Sequence, residues 1–284
     1  MTESNTLCKW DGHTHSPFCR HGDGASLETY VTRAAQLGFT RYSVTEHPPL
    51  PRAWLRDAGQ MAQLAMTEDE LPGYLAAVQA VREKFAPDVD IRIGLELDYL
   101  AGAEYFTRDL IERCNGALQD TVVSVHFLPG RGGMRCIDMS PADWVDGLLS
   151  YYGSADRVVL EYMEHIGRAV EFAGGLPVPA RIGHLTLIEK FRAALPPFDD
   201  ALLTERLAGL LPLLRQTGVG IDVNVAGLRM PLCRRAYVPE WFVRRAAQEG
   251  LALVYGSDAH RPQDVGADWE WYREALTDST SQRE

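Results

Sequence analysis

The stretch SLETYVTRAAQLGFTRYSVTEH (26–47) decides the reading of the fold. Ser26, with Glu28 and Thr29 close behind, reads as a helix start. An amphipathic run follows to Leu37, and Gly38 reads as the stop. FTRYSVTEH (39–47) then supplies a β-branched, aromatic strand pattern that ends in a carboxylate and a histidine. Helix and strand in such quick alternation build a mostly parallel sheet.

The alternation continues in both directions. Strand-like runs are LCKWDGHTH (7–15), DIRIGLELDY (90–99), DTVVSVHFL (120–128), ARIGHLTL (180–187), GVGIDVNV (218–225) and LALVYGSDAH (251–260). Helix-like segments occupy 70–85, 103–113, 141–151, 157–172, 202–216 and 239–249. Seven strands, about seven helices and no Pro/Gly/Ser-rich linker predict one α/β domain over 1–284, a TIM-like barrel with its core at about 8–275. The irregular stretches 48–69 and 129–140, the second holding PGRGGMRC, read as long loops after strands, where such folds place substrate contacts. The polar tail at 279–282 is expected to fray.

Composition narrows the function. The chain has 284 residues, 28 Lys+Arg against 39 Asp+Glu, and a net charge of −11. With no basic run to set against phosphates, neither a nucleic-acid nor a membrane partner is expected. The five cysteines are odd in number and form no CxxC, which predicts free thiols, Cys19 and Cys233 included. The N-terminal MTESNTLCKW lacks an apolar segment, and no apolar run reaches membrane-helix length, so a cytoplasmic location is expected.

The histidines are the strongest signal. Seven of eight, His13, His15, His21, His47, His126, His184 and His260, fall at or just past the C-terminal end of a strand-like run; only His165 sits in a helix. In a parallel barrel those ends open onto one face. Seven imidazoles there would repel when protonated and compete for donors when neutral, and divalent metals resolve both problems. His13 and His15, two apart on a strand, point to one side and can chelate one ion; Asp258 and His260 share that spacing. With Glu96 and Asp258 there are nine candidate ligands, too many for one ion and comfortable for two or three. A carboxylate can bridge two ions, and Glu96 stands between the groups.

DGHTHSPFCRHG (11–22), TEH (45–47), GLELDY (94–99), SVHFL (124–128), RIGHLTL (181–187) and YGSDAH (255–260) together resemble the PHP (polymerase and histidinol phosphatase) family, and within it the histidinol-phosphate phosphatases. The resemblance spans 11–260 and implies a distorted seven-stranded (β/α)7 barrel holding about three divalent transition-metal ions, zinc, iron or manganese. It places His13, His15, Glu96 and Asp258 on the first ion, Glu96, His126 and His184 on the second, and His21, His47 and His260 on the third. Asp11 lies outside that set and is read as orienting His13 or a neighbour. So does Glu46.

The chemistry this implies is hydrolysis of a small phosphomonoester, L-histidinol phosphate, in histidine biosynthesis. The expected nucleophile is a hydroxide between the first two metals, with Glu96, Asp258 and His260 as the catalytic group and Asp258 or a site histidine protonating the leaving alkoxide. Arg229 is the first choice for the phosphate, followed by Arg234, Arg20 and Lys190, with Arg192 beyond them. Glu161, Glu164, Phe127 and Tyr99 are candidates for the imidazole and amine. A PHP phosphodiesterase or exonuclease on small nucleotides and a non-catalytic metal-binding domain are the competing readings.

Overall fold

The computed structural model describes residues 8–277, so the tail at 279–282 lies outside the described residues. Helix α1 (Leu27–Gln36) starts where Ser26 accepts a hydrogen bond from the Thr29 N–H, and it buries Leu27, Tyr30, Val31 and Ala34, the one-sided spacing of a helix packed on a sheet. Gly38 ends the unit at φ +77°. Strand β2 (Arg41–Glu46) follows with every residue after Arg41 buried, as befits a parallel strand covered on both faces.

Seven strands repeat this unit: β1 (Trp10–Asp11), β2, β3 (Asp90–Asp98), β4 (Asp120–Ser124), β7 (Ala180–Ile182), β8 (Gly220–Asn224) and β9 (Leu253–Gly256). They lie side by side in chain order, each parallel to the next. The last meets the first through Gly12 N to Tyr255 O (2.8 Å), Asp258 N to His13 O (2.8 Å) and His15 N to Ala259 O (3.0 Å), which closes the barrel. Helices α3 (Leu71–Phe85), α4 (Glu104–Arg113), α7 (Ala155–Gly174), α8 (Asp200–Thr217) and α9 (Glu240–Gln248) connect successive strands, with the short helices α2 (Ala58–Met61), α5 (Pro141–Asp143) and α6 (Ser150–Tyr152) in the longer connections, and α10 (Trp269–Thr277) follows the last strand.

Three local expectations need correction. The run 7–15 contributes a two-residue strand, because residues 12–15 divide their hydrogen bonds between residues 255–259 and Thr45 and leave no regular ladder. The stretch 129–140 is not an irregular loop. Phe127–Gly130 (β5) and Gly133–Cys136 (β6) pair antiparallel around a two-residue turn, with Gly132 and Gly133 at φ +87° and +137°. The 141–151 helix is interrupted by a π-helical segment, Trp144–Leu149. A small apolar cluster, Leu55, Leu100, Ala103, Phe127 and Cys136, ties the hairpin to residues 50–64 and so holds both excursions over one end of the barrel.

The opposite end of the barrel is closed by charge. Arg181 on β7 forks onto both oxygens of Asp120 on β4, donates to Gly12 O (2.7 Å), and lies 5.0 Å from the Trp10 ring centre. Ser43 Oγ donates to Asp120 (2.6 Å), so both oxygens of the buried carboxylate are partnered.

Candidate metal centre

At the C-terminal ends of the strands the donors gather around Glu96, which is buried near the end of β3. Its Oε1 faces His184 Nε2 (2.9 Å) and His126 Nε2 (3.4 Å), and accepts from Ser124 Oγ (2.7 Å). Its Oε2 faces His47 Nδ1 (3.1 Å), His13 Nε2 (3.3 Å) and His15 Nε2 (3.6 Å). One carboxylate therefore divides two sets of imidazoles. Gly183 makes room for this: a Cβ there would lie 2.2 Å from Ser124 Oγ.

Three groups of ligand atoms each fall within 4.8 Å: His13, His15 and Asp258; Glu96, His126 and His184; and His15, Cys19, His47 and His260. His21 is exposed at the rim, its ring centre 5.7 Å from that of His47 and 5.8 Å from that of His260. All nine residues expected as ligands thus meet at one end of the barrel, with Cys19 among them and His21 furthest out.

An outer ring of polar groups aims the imidazoles. Asp222 Oδ2 takes His13 Nδ1 (2.8 Å), Asp98 Oδ1 takes His126 Nδ1 (2.8 Å), and Glu46 Oε1 takes His15 Nδ1 (3.1 Å). Each carboxylate leaves the opposite ring nitrogen directed inward. Asn224 Nδ2 bridges Asp222 and Asp258 at 3.2 Å each. The orienting role read for Asp11 falls to Asp222. Asp11 instead accepts from the backbone of Ser257 (3.0 Å) and Gly266 (3.3 Å) and braces the turn after β9. Asp258 itself sits at φ +54°, a left-handed conformation uncommon for aspartate, fixed by its N–H to His13 O.

This donor set fits divalent transition metals. His13 Nε2 is buried with no hydrogen-bond partner, and the Nε2 atoms of His126 and His184 face each other at 3.2 Å beside one Glu96 oxygen. Such convergence of acceptors wants a cation. Without one, protons take its place. Burial opposes charge on His13, His15 and His126, yet their carboxylates hold all three well above the usual histidine range. Burial likewise opposes ionisation of Glu96 and Asp258, but the imidazoles hold both well below the carboxylate range. His47 and His260, where burial prevails, stay neutral; His260 is lowered to about 4.

The centre opens into a cavity of about 650 Å³, with Leu50, Leu64, Phe127 and Met230 among its apolar lining. Lys190, Arg229 and Arg261 bring positive charge to the same walls. Lys190 donates to Asp138 Oδ2 (2.8 Å); burial works against its charge, but that carboxylate raises its pKa overall. Arg229 donates to Ser257 O (2.6 Å) and contacts Asp268 (3.3 Å). Arg20, paired with Glu70, and Arg234, exposed in the turn after Met230, do not line the cavity. Arg192 pairs with Glu189 (2.8 Å), and Glu161, Glu164 and Tyr99 also stay outside. Arg261 and Asp138 escaped the sequence reading; Arg261 follows His260 directly and could have been found by that adjacency.

A family model for the PHP domain matches residues 11–226. The histidinol-phosphatase of Bacillus subtilis (strain 168) is 33% identical over 270 residues, covering 94% of this chain and 98% of that one. Among solved structures, a Listeria monocytogenes chain assigned as a histidinol phosphatase superposes with TM-score 0.87 at 36% identity, over 93% of this chain and all of the other (100%). The histidinol phosphate phosphatase of Lactococcus lactis, solved with zinc, L-histidinol and phosphate, shares the fold at TM-score 0.69 and 18% identity, over 96% and 94% of the two chains.

Proposed function

The chain belongs to the PHP domain family, and from that premise we propose that it hydrolyses L-histidinol phosphate to L-histidinol and inorganic phosphate, as a metal-dependent enzyme of histidine biosynthesis. One observation carries the reading: donors for several cations and the side chains Lys190, Arg229 and Arg261 share a single cavity of small-molecule size. That is the arrangement a dianionic monoester needs. The near full-length match to the Bacillus subtilis histidinol-phosphatase supports the choice of substrate.

We place three ions, zinc, iron or manganese, at the three donor groups. Bound there, they supply an acidified water and neutralise charge on the phosphoryl oxygens. The chain's own residues do the rest. Lys190, its ammonium held by Asp138, and Arg229, held by Ser257 O, present fixed positive charge to the phosphate. Asp258 lines the cavity and lacks a proton at neutral pH. It is the group placed to take the proton of the attacking water and return it to the leaving oxygen, whereas His260, its Nδ1 donating to the Asp258 carbonyl, has only Nε2 to give and that to an ion. The apolar wall of Leu50, Leu64 and Phe127 excludes water around the imidazole of the substrate.

A phosphate-release panel on metal-loaded protein tests the reading, with histidinol phosphate set against a nucleoside monophosphate and an aryl diester. Histidinol phosphate should give the highest kcat/KM. A higher value on the diester would overturn the assignment, whatever the metal content.

A further inference from the structure

We propose that Tyr237 binds the phosphoryl group: its hydroxyl donates a hydrogen bond to a non-bridging oxygen of the substrate and, after hydrolysis, of inorganic phosphate. The proposal rests on the reading of the chain as a phosphatase and adds a neutral donor to the cationic ones already placed. Tyr237 is 2% exposed, lines the metal cavity, and has a hydroxyl with no hydrogen-bond partner. A buried hydroxyl is costly to leave unpaired, and one at the wall of a ligand cavity is explained by a ligand that accepts from it.

The neighbours of the ring hold it in place. Tyr237 N donates to Asn224 O (2.9 Å) and Thr186 N donates to Tyr237 O (2.9 Å), which pins the backbone between the end of β8 and the turn after β7. The ring meets the His184 imidazole edge-on, 6.3 Å between centres. Its Cε1 edge lies over Gly227, where a Cβ would come within 2.9 Å. Gly227 belongs to the turn Ala226–Arg229, so one short segment seats both the phenol and the Arg229 guanidinium. A ring wedged in this way has little freedom to lose when a ligand binds.

Charge around the hydroxyl selects the part of the substrate it serves. Arg229, Asp138 and Asp258 all lie within its electrostatic reach, and Asp138 holds Lys190 (2.8 Å). These are the groups assigned to the phosphate, whereas Leu50, Leu64 and Phe127 form the apolar wall. A phosphoryl dianion offers acceptors on every oxygen, so a further donor is useful to it. The ammonium of the substrate offers only donors, and carboxylates accept from it better than a phenol does. A phenol is protonated at neutral pH, so Tyr237 adds a donor to the wall without adding charge.

Tyr237→Phe keeps the ring and removes the donor. Calorimetry on the zinc-loaded full chain should show inorganic phosphate bound about 10–150-fold more weakly, the worth of a hydrogen bond to a charged acceptor. L-Histidinol should bind as in wild type, zinc content should be unchanged, and kcat/KM for histidinol phosphate should fall by a factor similar to that for phosphate. The melting temperature without phosphate should not fall, because the hydroxyl holds nothing in the fold. Tyr74→Phe gives the contrast: its hydroxyl donates to Val44 O (2.9 Å) and Gly94 O (2.7 Å) away from the cavity, so its loss should lower the melting temperature and leave phosphate affinity alone. Unchanged phosphate affinity in Tyr237→Phe, or a loss on L-histidinol as large as that on phosphate, overturns the proposal. So does a melting temperature lowered as far as in Tyr74→Phe, which would make the hydroxyl a structural group. Failure to hydrolyse histidinol phosphate would instead sink the functional reading and leave the phosphate measurement unaffected.

Discussion

Replacing Asp222 with asparagine tests whether the outer ring of carboxylates governs metal binding. Asp222 is wholly buried on β8, and its Oδ2 receives His13 Nδ1 (2.8 Å) and Asn224 Nδ2 (3.2 Å). Its Oδ1 has no partner and presses on Gly256, where a Cβ would come within 2.1 Å. An amide in that slot has two orientations, both poor. With its oxygen toward His13, its NH₂ occupies the Oδ1 position as a buried donor without an acceptor. With its NH₂ toward His13, donor faces donor and the imidazole must change tautomer. Either way His13 loses a charged partner, a change worth about 10–100-fold in metal affinity, or roughly 1.4–2.8 kcal/mol. Chelator competition on zinc-loaded protein should show one binding step weakened by that factor and the others little moved. Asp11→Asn is the control, because Asp11 grips the backbone of Ser257 and Gly266: it should lower the melting temperature without weakening that step. Unchanged zinc retention and turnover in Asp222→Asn would refute the reasoning.

Glu96→Gln should cost more activity than the roughly 100-fold ceiling for an outer partner, while Glu46→Gln, losing contacts to His15, Ser16 and the His47 N–H, should fall inside that range; steady-state kinetics on both compares them. Asp120→Ala strands Arg181 in the barrel and should destabilise by about 3–5 kcal/mol, with zinc content unchanged, measured by denaturant unfolding and elemental analysis. Zinc uptake by metal-free protein should release protons and tighten as pH rises, since His13, His15 and His126 hold protons above the usual histidine range; calorimetry in two buffers of different ionisation enthalpy counts them. His165, buried in α7 and lowered by that burial, binds fewer protons folded than unfolded below pH ~6.5, so stability is lost as pH falls through that value and His165→Leu should flatten the slope in melting curves from pH 7 to 5.

The barrel and its metal-facing end were legible because both write themselves along one dimension. Strand runs alternate with helical ones, and a histidine at a strand's C-terminal end is on the open face whatever the register. What stayed hidden depends on contacts between distant residues. The glycine-rich 129–140 stretch read as loop because glycine signals a turn without saying whether strands flank it. Arg20 and Arg234 lie close in sequence to site elements, yet Arg20 is held by Glu70 and Arg234 sits in a turn at φ +56°, away from the cavity.

The outer ring shows the limit most clearly, since its signal was present but incomplete. A parallel barrel buries both faces of its strands, so any charged residue inside a strand run must find a partner. Glu46, Asp98, Asp120, Arg181 and Asp222 all sit in such runs, and all are buried. Sequence alone marks them as obligate pairs without saying which pairs with which. Register decides: Val122 lies opposite Arg181, and Ile182 opposite Ile221, which sends Arg181 toward Asp120 at one end and leaves Asp222 nearer the other, beside His13. A slip of one residue between β7 and β8 would turn Asp222 to the opposite face of the sheet and leave the His13 imidazole without its carboxylate. The metal-facing histidines are therefore a property of strand ends, whereas the carboxylates that aim them are a property of strand pairing.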